Sequence, residues 1–237
     1  ILNFYGPPGT GKTLAAEALA GTLGLPYLRL GIAELESKFV GETAKNISAA
    51  FNAAATEGAL LFFDEADTLL GARLSSVTQG IDNEINAMRS TLLIELERFE
   101  GVAVFATNFA KNYDSAFVSR IRYHIAFKLP DLEGRKQLWA KMLVPGAPLA
   151  EDRETLIERC ATASEGLSGR EIRTVLRTAF PRAIQDNEQE PRVQWTHLES
   201  AIADVRTARR NVGKHHHADD GESASAEAGR RMLGFKD

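Results

Sequence analysis

The chain has 237 residues, of which 44% are hydrophobic and 25% are charged, and its formal net charge at neutral pH is −4. This composition is typical of a globular protein with one sizeable core and a smaller satellite domain, and no apolar run reaches the roughly 18 residues that a membrane-spanning helix needs. The acidic balance disfavours a protein that grips the phosphate backbone of nucleic acids.

Strand-like apolar runs alternate with helical stretches over the first part of the chain. The runs lie at residues 1–5, 27–30, 60–63, 102–107 and 123–127. This alternation predicts an α/β fold with a doubly wound, parallel, five-stranded sheet over residues 1–130.

Beyond Pro130 the sequence carries only helical signals. They cover residues 132–143, 153–163, 168–180 and 195–209, and Pro/Gly/polar breaks separate them. We therefore expect a small all-α domain over 131–210. A Gly/Ser/Ala-rich composition predicts a flexible tail over 211–237, with a short apolar cluster at 232–235.

A glycine-rich turn separates the first strand from the first helix. It reads Gly-Pro-Pro-Gly-Thr-Gly-Lys-Thr, and its glycines allow backbone N–H groups to point inward at a helix N-terminus. We expect Lys12 to reach the β- and γ-phosphates of a nucleotide and Thr13 to ligate Mg²⁺. A plain Gly/Pro turn would not need this Lys-Thr pair. The predicted nucleotide-binding residues are Gly6, Pro7, Pro8, Gly9, Thr10, Gly11, Lys12, Thr13 and Leu14.

Two carboxylates follow the apolar run at 60–63. Asp64 at the end of this strand is suited to the Mg²⁺ water shell, and Glu65 is suited to polarise an attacking water. The alternative is an acidic helix N-terminus, which the phosphate-binding turn makes less attractive. The spelling Asp64-Glu65-Ala66-Asp67 also marks a group of RNA helicases. Such helicases resemble two fused recombinase-like domains, and this chain of 237 residues with a net charge of −4 is too short and too acidic for them.

Two later features carry no assigned chemistry. Cys160 is the only cysteine, so it cannot form an internal disulfide, and its helical, apolar context predicts a small buried side chain in a reducing, cytoplasmic compartment. Three adjacent histidines at 215–217 are interpreted as part of a solvated linker, because no second ligand pair is spaced for a metal site.

Taken together, these motifs resemble the AAA+ ATPases, in the subgroup of ring-forming protein remodellers. The apolar strand at 102–107 ends at Asn108, where the family places its first sensor, and residues 114–122 resemble its arginine-finger segment. The resemblance implies ATP and Mg²⁺ as cofactors and a homo-hexamer in which the finger acts on the neighbouring subunit. Arg120 is the first candidate for the finger and Arg122 the second. Asn108 could instead begin a turn, and either arginine could be a surface cation.

In the helical domain, Gly169 and Arg170 are similar to the family's second sensor. Many remodellers have a small residue where this chain has Arg170, so this side chain either touches phosphates in cis or pairs with a nearby acid. Leu138 and Met142 fall where relatives line the adenine. Their alternative role is packing inside the helical domain.

A further resemblance concerns the segment Lys38, Phe39, Val40 and Gly41, which looks like the first pore loop of rings that thread a polypeptide. An aromatic side chain there would wedge between the client's side chains without reading their identity. The alternative is an interior hydrophobe before a helix. A second pore loop is expected within 71–80.

The resemblance therefore implies an Mg-ATP-dependent unfoldase or remodeller that threads a protein client through a central pore. Among family members, the pore-loop and finger segments are similar to remodellers of HORMA-domain signalling proteins, including bacterial ones in anti-phage defence. The alternative is a nucleotide-gated ring scaffold or loader, of the DNA-transaction or Rubisco-activase-like kind, that does not thread processively. Neither a membrane nor a nucleic-acid partner is expected.

Overall fold

The computed structural model describes residues 1–31, 42–70, 80–108 and 113–215. The chain divides into two compact units, Ile1–Pro130 and Asp131–Asp237.

The first unit is built on a five-stranded parallel sheet. Its strands are β1 (Leu2–Tyr5), β2 (Tyr27–Gly31), β3 (Leu60–Asp64), β4 (Ala103–Thr107) and β5 (Tyr123–Ala126). Their order across the sheet is β2-β3-β4-β1-β5, and every neighbouring pair is parallel. The predicted α/β fold is confirmed. Because parallel strands end at the same edge, the segments after β1, β3 and β4 emerge side by side.

The helices of this unit follow the strands in alternation. They are α1 (Lys12–Leu23), α2 (Glu42–Glu57), α3 (Asp67–Leu70), α4 (Gly80–Arg98) and α5 (Ser115–Val118). In α1 the buried positions after Lys12 are Ala16 and Ala20. Small side chains at this spacing let the helix lie close to the sheet.

Both faces of the sheet are buried at β3 and β4, which explains why these two strands are apolar at nearly every position. Leu61 and Phe63 point to one core cluster, whereas Leu60 and Phe62 point to the other. On the first face the rings of Phe63 and Phe105 stack, with centroids 4.7 Å apart. Burying each such ring contributes about 2–3 kcal/mol, so the two-sided packing holds the carboxyl ends of the central strands firmly.

The second unit is helical, with α6 (Leu132–Met142), α7 (Arg153–Ala163), α8 (Gly169–Asp186) and α9 (Trp195–His215). Its core surrounds Trp139, whose indole N–H donates to the buried Ser164 hydroxyl over 2.9 Å. Cys160 lies in this core, as predicted. Burial raises the pKa of its thiol to about 12, so the group stays protonated and unreactive at neutral pH.

Two helices run further than the sequence predicts. The expected end of α8 at Phe180 is wrong, because the helix continues through Pro181. Proline has no backbone N–H, so the helix loses one hydrogen bond at Pro181. Beyond it, Ala183 is buried in the core, and the Arg182 side chain donates to Asp204 of α9 over 2.5 Å. Similarly, α9 includes residues 211–215 of the predicted tail, since extending a formed helix needs no new nucleus.

None of the helices in the described ranges is both long and apolar enough to cross a bilayer.

Candidate active site

The turn after β1 has the backbone of a phosphate-binding loop. Gly6, Gly9 and Gly11 all have positive φ angles, of 141°, 77° and 98°. At Gly6 a Cβ atom would lie 2.0 Å from the carbonyl oxygen of Phe127, so only glycine fits there. The Gly6 N–H also donates to the carbonyl of Thr107 over 3.2 Å, which ties the start of the loop to the end of β4.

The side chain of Lys12 crosses this loop. It is buried, and its Nζ donates to the carbonyls of Gly6 and Pro7 over 2.7 and 3.0 Å and to Asn108 Oδ1 over 3.1 Å. Thr10 closes the loop from within, because its hydroxyl donates to the Pro7 carbonyl over 2.8 Å. The structure thus brings together the predicted phosphate-binding lysine and the predicted sensor amide.

The two predicted catalytic carboxylates lie at the carboxyl end of β3. Glu65 has φ of 54°, the left-handed region, which costs a non-glycine residue about 1–3 kcal/mol. Its N–H donates to Asp64 Oδ1 over 3.1 Å, and the next N–H, of Ala66, donates to the Ala106 carbonyl over 2.9 Å. These bonds hold a sharp turn that leaves the Glu65 side chain exposed beyond the sheet.

Asn108 is anchored on two sides. Its side chain accepts from Lys12, and its backbone N–H donates to both carboxylate oxygens of Asp67 over 3.0 and 3.1 Å. In the sequence, Asp67 stands out only as the last residue of the helicase-like string Asp64-Glu65-Ala66-Asp67. No sequence signal reveals this contact, because it depends on β3 and β4 being neighbours in the sheet.

Arg29 is a second site residue that no sequence motif predicts. It lies on β2 beside β3, and its Nη2 donates to Asp64 Oδ2 over 2.7 Å. The Arg29 side chain is 59% exposed and that of Asp64 is 19% exposed. Burial raises the pKa of the nearby Tyr27 to about 12, and the Arg29 cation partly opposes that rise. Asp64, the predicted metal-site carboxylate, therefore has a cationic partner within its own sheet.

The two candidate finger arginines have different surroundings. Arg120 is paired with Glu97, and its Nη1 donates to the Ala116 carbonyl over 2.8 Å. Its Nε is buried and has no hydrogen-bond partner among the described residues. Arg122 is exposed, and within the described part of the chain no salt bridge involves it. Because exposed ion pairs contribute little, the Glu97 contact is easily exchanged for another anion.

The remaining predicted residues are less informative. Leu138 and Met142 are half-buried and pack against the core of the second unit. Gly169 begins α8 and Arg170 is exposed, while Ser168 and Glu171 form a capping box at this end. Lys38, Phe39, Val40, Gly41 and residues 71–79 lie outside the described residues, as do His216 and His217.

The donor set of the first unit fits a magnesium nucleotide. Inward-curving glycine backbone at the N-terminus of α1 and the buried Lys12 ammonium suit a polyphosphate. The Thr13 hydroxyl and the Asp64 carboxylate are oxygen ligands of the kind that Mg²⁺ prefers. Glu65 and Asn108, at the ends of β3 and β4, border the same edge of the sheet.

The chain is similar to known ATPases, which agrees with a site for a magnesium nucleotide. The sequence profile of the family described as "ATPase family associated with various cellular activities (AAA)" matches residues 2–129. The chain is 36% identical over 191 residues to the 26S proteasome regulatory subunit 7 homolog of Schizosaccharomyces pombe, covering 78% of this chain and 43% of that protein. It is 34% identical over 190 residues to the proteasome-activating nucleotidase of Methanopyrus kandleri, covering 77% and 43%.

A bacterial relative matches over a longer stretch. An uncharacterized AAA family ATPase, y4kL, of Sinorhizobium fredii is 35% identical over 215 residues, covering 89% of this chain and 61% of that protein. The chain thus spans less than two thirds of the length of each of these relatives. Among solved structures, the FIGL-1 AAA domain in complex with ADP has the same fold, with a TM-score of 0.74 and 24% identity over 86% of this chain and 71% of that one.

The Arg29–Asp64 contact leads to a prediction about metal binding. Arg29→Gln removes a cation that competes with Mg²⁺ for Asp64, so we expect half-saturation at about two- to fivefold lower Mg²⁺. Titrating Mg²⁺ against a fluorescent ATP analogue measures this shift. Arg29→Lys, which retains the charge, is the matched control and should stay near wild type. Weaker or unchanged Mg²⁺ binding by Arg29→Gln would contradict the competition.

Proposed function

Because the chain belongs to the AAA family of ATPases, we propose that it hydrolyses Mg-ATP in a homo-hexameric ring and uses the cycle to unfold or remodel a protein client. The observation that carries the proposal is the Lys12 side chain, which joins the phosphate loop to Asn108. That contact places a cation and an amide at one point, where a terminal phosphate can be bound and sensed.

The residues of the first unit divide the chemistry of hydrolysis among them. The loop glycines and Lys12 bind the phosphates, while Thr13 and Asp64 hold the metal, which supplies charge neutralisation when bound. Glu65 accepts a proton from the attacking water, and Asn108 orients that water through its amide. The backbone bonds that hold the strained turn fix the position of the Glu65 backbone at the end of β3, from which its side chain extends.

A second subunit completes the site in this proposal. Arg120, five residues beyond the start of α5, provides a guanidinium to the nucleotide of its neighbour and leaves Glu97 when it does so. Arg122 is the other candidate. It is exposed and forms no ion pair among the described residues. A trans-acting finger requires an oligomer, and the family resemblance implies six subunits.

The client is a polypeptide in this proposal. Two relatives are, by name, a regulatory subunit of the 26S proteasome and a proteasome-activating nucleotidase, which supports a protein client over a nucleic acid. Phe39, together with Lys38, Val40 and Gly41, is proposed to grip the client. A HORMA-domain signalling protein in anti-phage defence stays a prediction as the specific client, since none of these relatives names one.

The alternative function is a nucleotide-gated scaffold or loader, which would open and close a ring without threading. Both functions use the same ATP site. They differ in whether the aromatic side chain of Phe39 is needed for work on a client.

Glu65→Gln tests the hydrolysis step. The amide cannot accept a proton, so we expect ATP turnover to fall about 10²- to 10⁴-fold while ATP affinity stays within about twofold of wild type. Phosphate release and binding of a fluorescent ATP analogue measure the two quantities. Glu57→Gln, at an exposed position near the end of α2, is the control. Unchanged turnover by Glu65→Gln would remove Glu65 from this role.

Arg120→Ala tests the trans-acting finger. Turnover should fall on the order of 10³-fold with near-normal ATP affinity, because the lost charge acts only on the transition state. Wild-type activity per subunit should rise with protein concentration through the assembly range and then plateau. Arg122→Ala is the matched comparison and should lose much less. If a dilute monomer has the plateau activity, or if Arg120→Ala is fully active, Arg120 is a surface cation and not a trans-acting finger.

Phe39→Ala separates threading from gating. The probe is a green fluorescent protein with an unstructured peptide tail, whose loss of fluorescence reports unfolding. We expect Phe39→Ala to keep ATPase activity and lose unfolding at least tenfold, whereas Phe39→Tyr, which retains an aromatic ring, keeps both. Unfolding by Phe39→Ala at the wild-type rate would favour the loader.

A further inference from the structure

A buried polar cluster lies on one face of the otherwise apolar sheet, behind the candidate sensor. It consists of Asn3 on β1, Thr107 on β4 and Tyr113, the first described residue after the segment 109–112. Asn3 and Thr107 are fully buried. The surrounding positions, including Phe105 and Phe117, are hydrophobic.

The three side chains close a ring of hydrogen bonds. The Tyr113 and Thr107 hydroxyls are 2.6 Å apart, Thr107 Oγ1 donates to Asn3 Oδ1 over 3.4 Å, and Asn3 Nδ2 donates to Tyr113 Oη over 3.2 Å. If Tyr113 donates to Thr107, every hydroxyl donates once and accepts once. Such a cyclic arrangement gives each hydroxyl both a donor and an acceptor, and the Thr107–Asn3 contact is the longest of the three.

The ring extends to the edge strand. Asn3 Nδ2 lies 3.3 Å from Nδ1 of His124 on β5, and the two residues are direct partners in the sheet register. The rings of Tyr113 and His124 stack, with centroids 6.4 Å apart. An amide nitrogen only donates, so this contact is a hydrogen bond in the His124 tautomer that leaves Nδ1 as the acceptor.

The position of the ring relative to the active site is the key observation. Thr107 directly precedes Asn108, and its carbonyl accepts the Gly6 N–H that begins the phosphate loop. Tyr113 directly precedes Asp114, whose side chain caps α5 by accepting from Ala116 N–H over 2.9 Å. The helix and turn that follow lead to Arg120. The ring therefore joins Thr107, next to the sensor amide, to Tyr113, next to the finger segment.

The ring places polar side chains where the neighbouring buried positions of the sheet are apolar. A buried polar group matches the stability of apolar packing only when all its hydrogen bonds are made. What such groups add over valine or leucine is therefore a single defined geometry. We propose that Tyr113, Thr107 and Asn3 are positioning residues, which hold the Asn108 amide in register with the Lys12 ammonium and link it to the finger segment. This inference rests on the proposed ATP hydrolysis and adds residues that act on it through Asn108.

Isosteric substitutions test the ring with little change in volume. Tyr113→Phe and Thr107→Val each remove one hydroxyl, whereas Thr107→Ser retains it. We expect the first two to lower kcat about tenfold with the Kd of a non-hydrolysable ATP analogue within about twofold. Thr107→Ser should be close to wild type. Thermal unfolding of each variant shows whether the fold is retained. If Tyr113→Phe does not fold, the difference in kcat between Thr107→Ser and Thr107→Val tests the role of the ring.

A double-mutant cycle with Asn108→Ala distinguishes positioning from general destabilisation. Asn108→Ala should lose about 100-fold in single-turnover rate, and adding Tyr113→Phe should change that residual rate less than twofold, because the ring acts through Asn108. A multiplied loss in the double variant, or a fully active Tyr113→Phe beside an impaired Asn108→Ala, overturns the ring's role. A fully active Asn108→Ala instead overturns the sensor assignment in the proposed function.

Discussion

The interaction on which the candidate site depends is the contact between the Lys12 ammonium and Asn108, two residues separated by 96 positions in sequence. It holds only because β1 and β4 are adjacent and parallel, so that the loop after one strand meets the residue after the other. Gly6 sits against the Phe127 carbonyl and bonds Thr107, which leaves the loop little freedom to drift from β4. The conformation of the phosphate loop thus depends on the neighbouring strands that hold Gly6 in place.

The sheet holds that geometry because both of its faces are packed. Alternate residues of β3 and β4 enter opposite cores, and the stacked rings of Phe63 and Phe105 bridge the two central strands on one face. Strain is then tolerated at the strand ends, as in the left-handed Glu65. The buried ring of Tyr113, Thr107 and Asn3 interrupts the apolar packing where Asn108 and the finger segment begin.

The partners of the predicted residues could not be read from the chain. Asp67 and Arg29 contact Asn108 and Asp64 because β3 lies between β2 and β4. Strand order depends on how every helix packs, and no local pattern encodes it. Likewise, α8 continues through Pro181 because Ala179 and Ala183, on either side of it, are buried in the core of the second unit.

The sequence by itself determined the α/β class, the parallel strands and the family, because glycine spacing, strand hydrophobicity and the Lys-Thr and Asp-Glu pairs are local requirements of nucleotide chemistry. Only the tertiary structure decided which side chains meet: Lys12 with Asn108, Asp64 with Arg29, and Arg120 with Glu97. The physical reason is that residue type and periodicity determine which element forms, whereas pairing between distant elements depends on strand order and on the close packing of two cores.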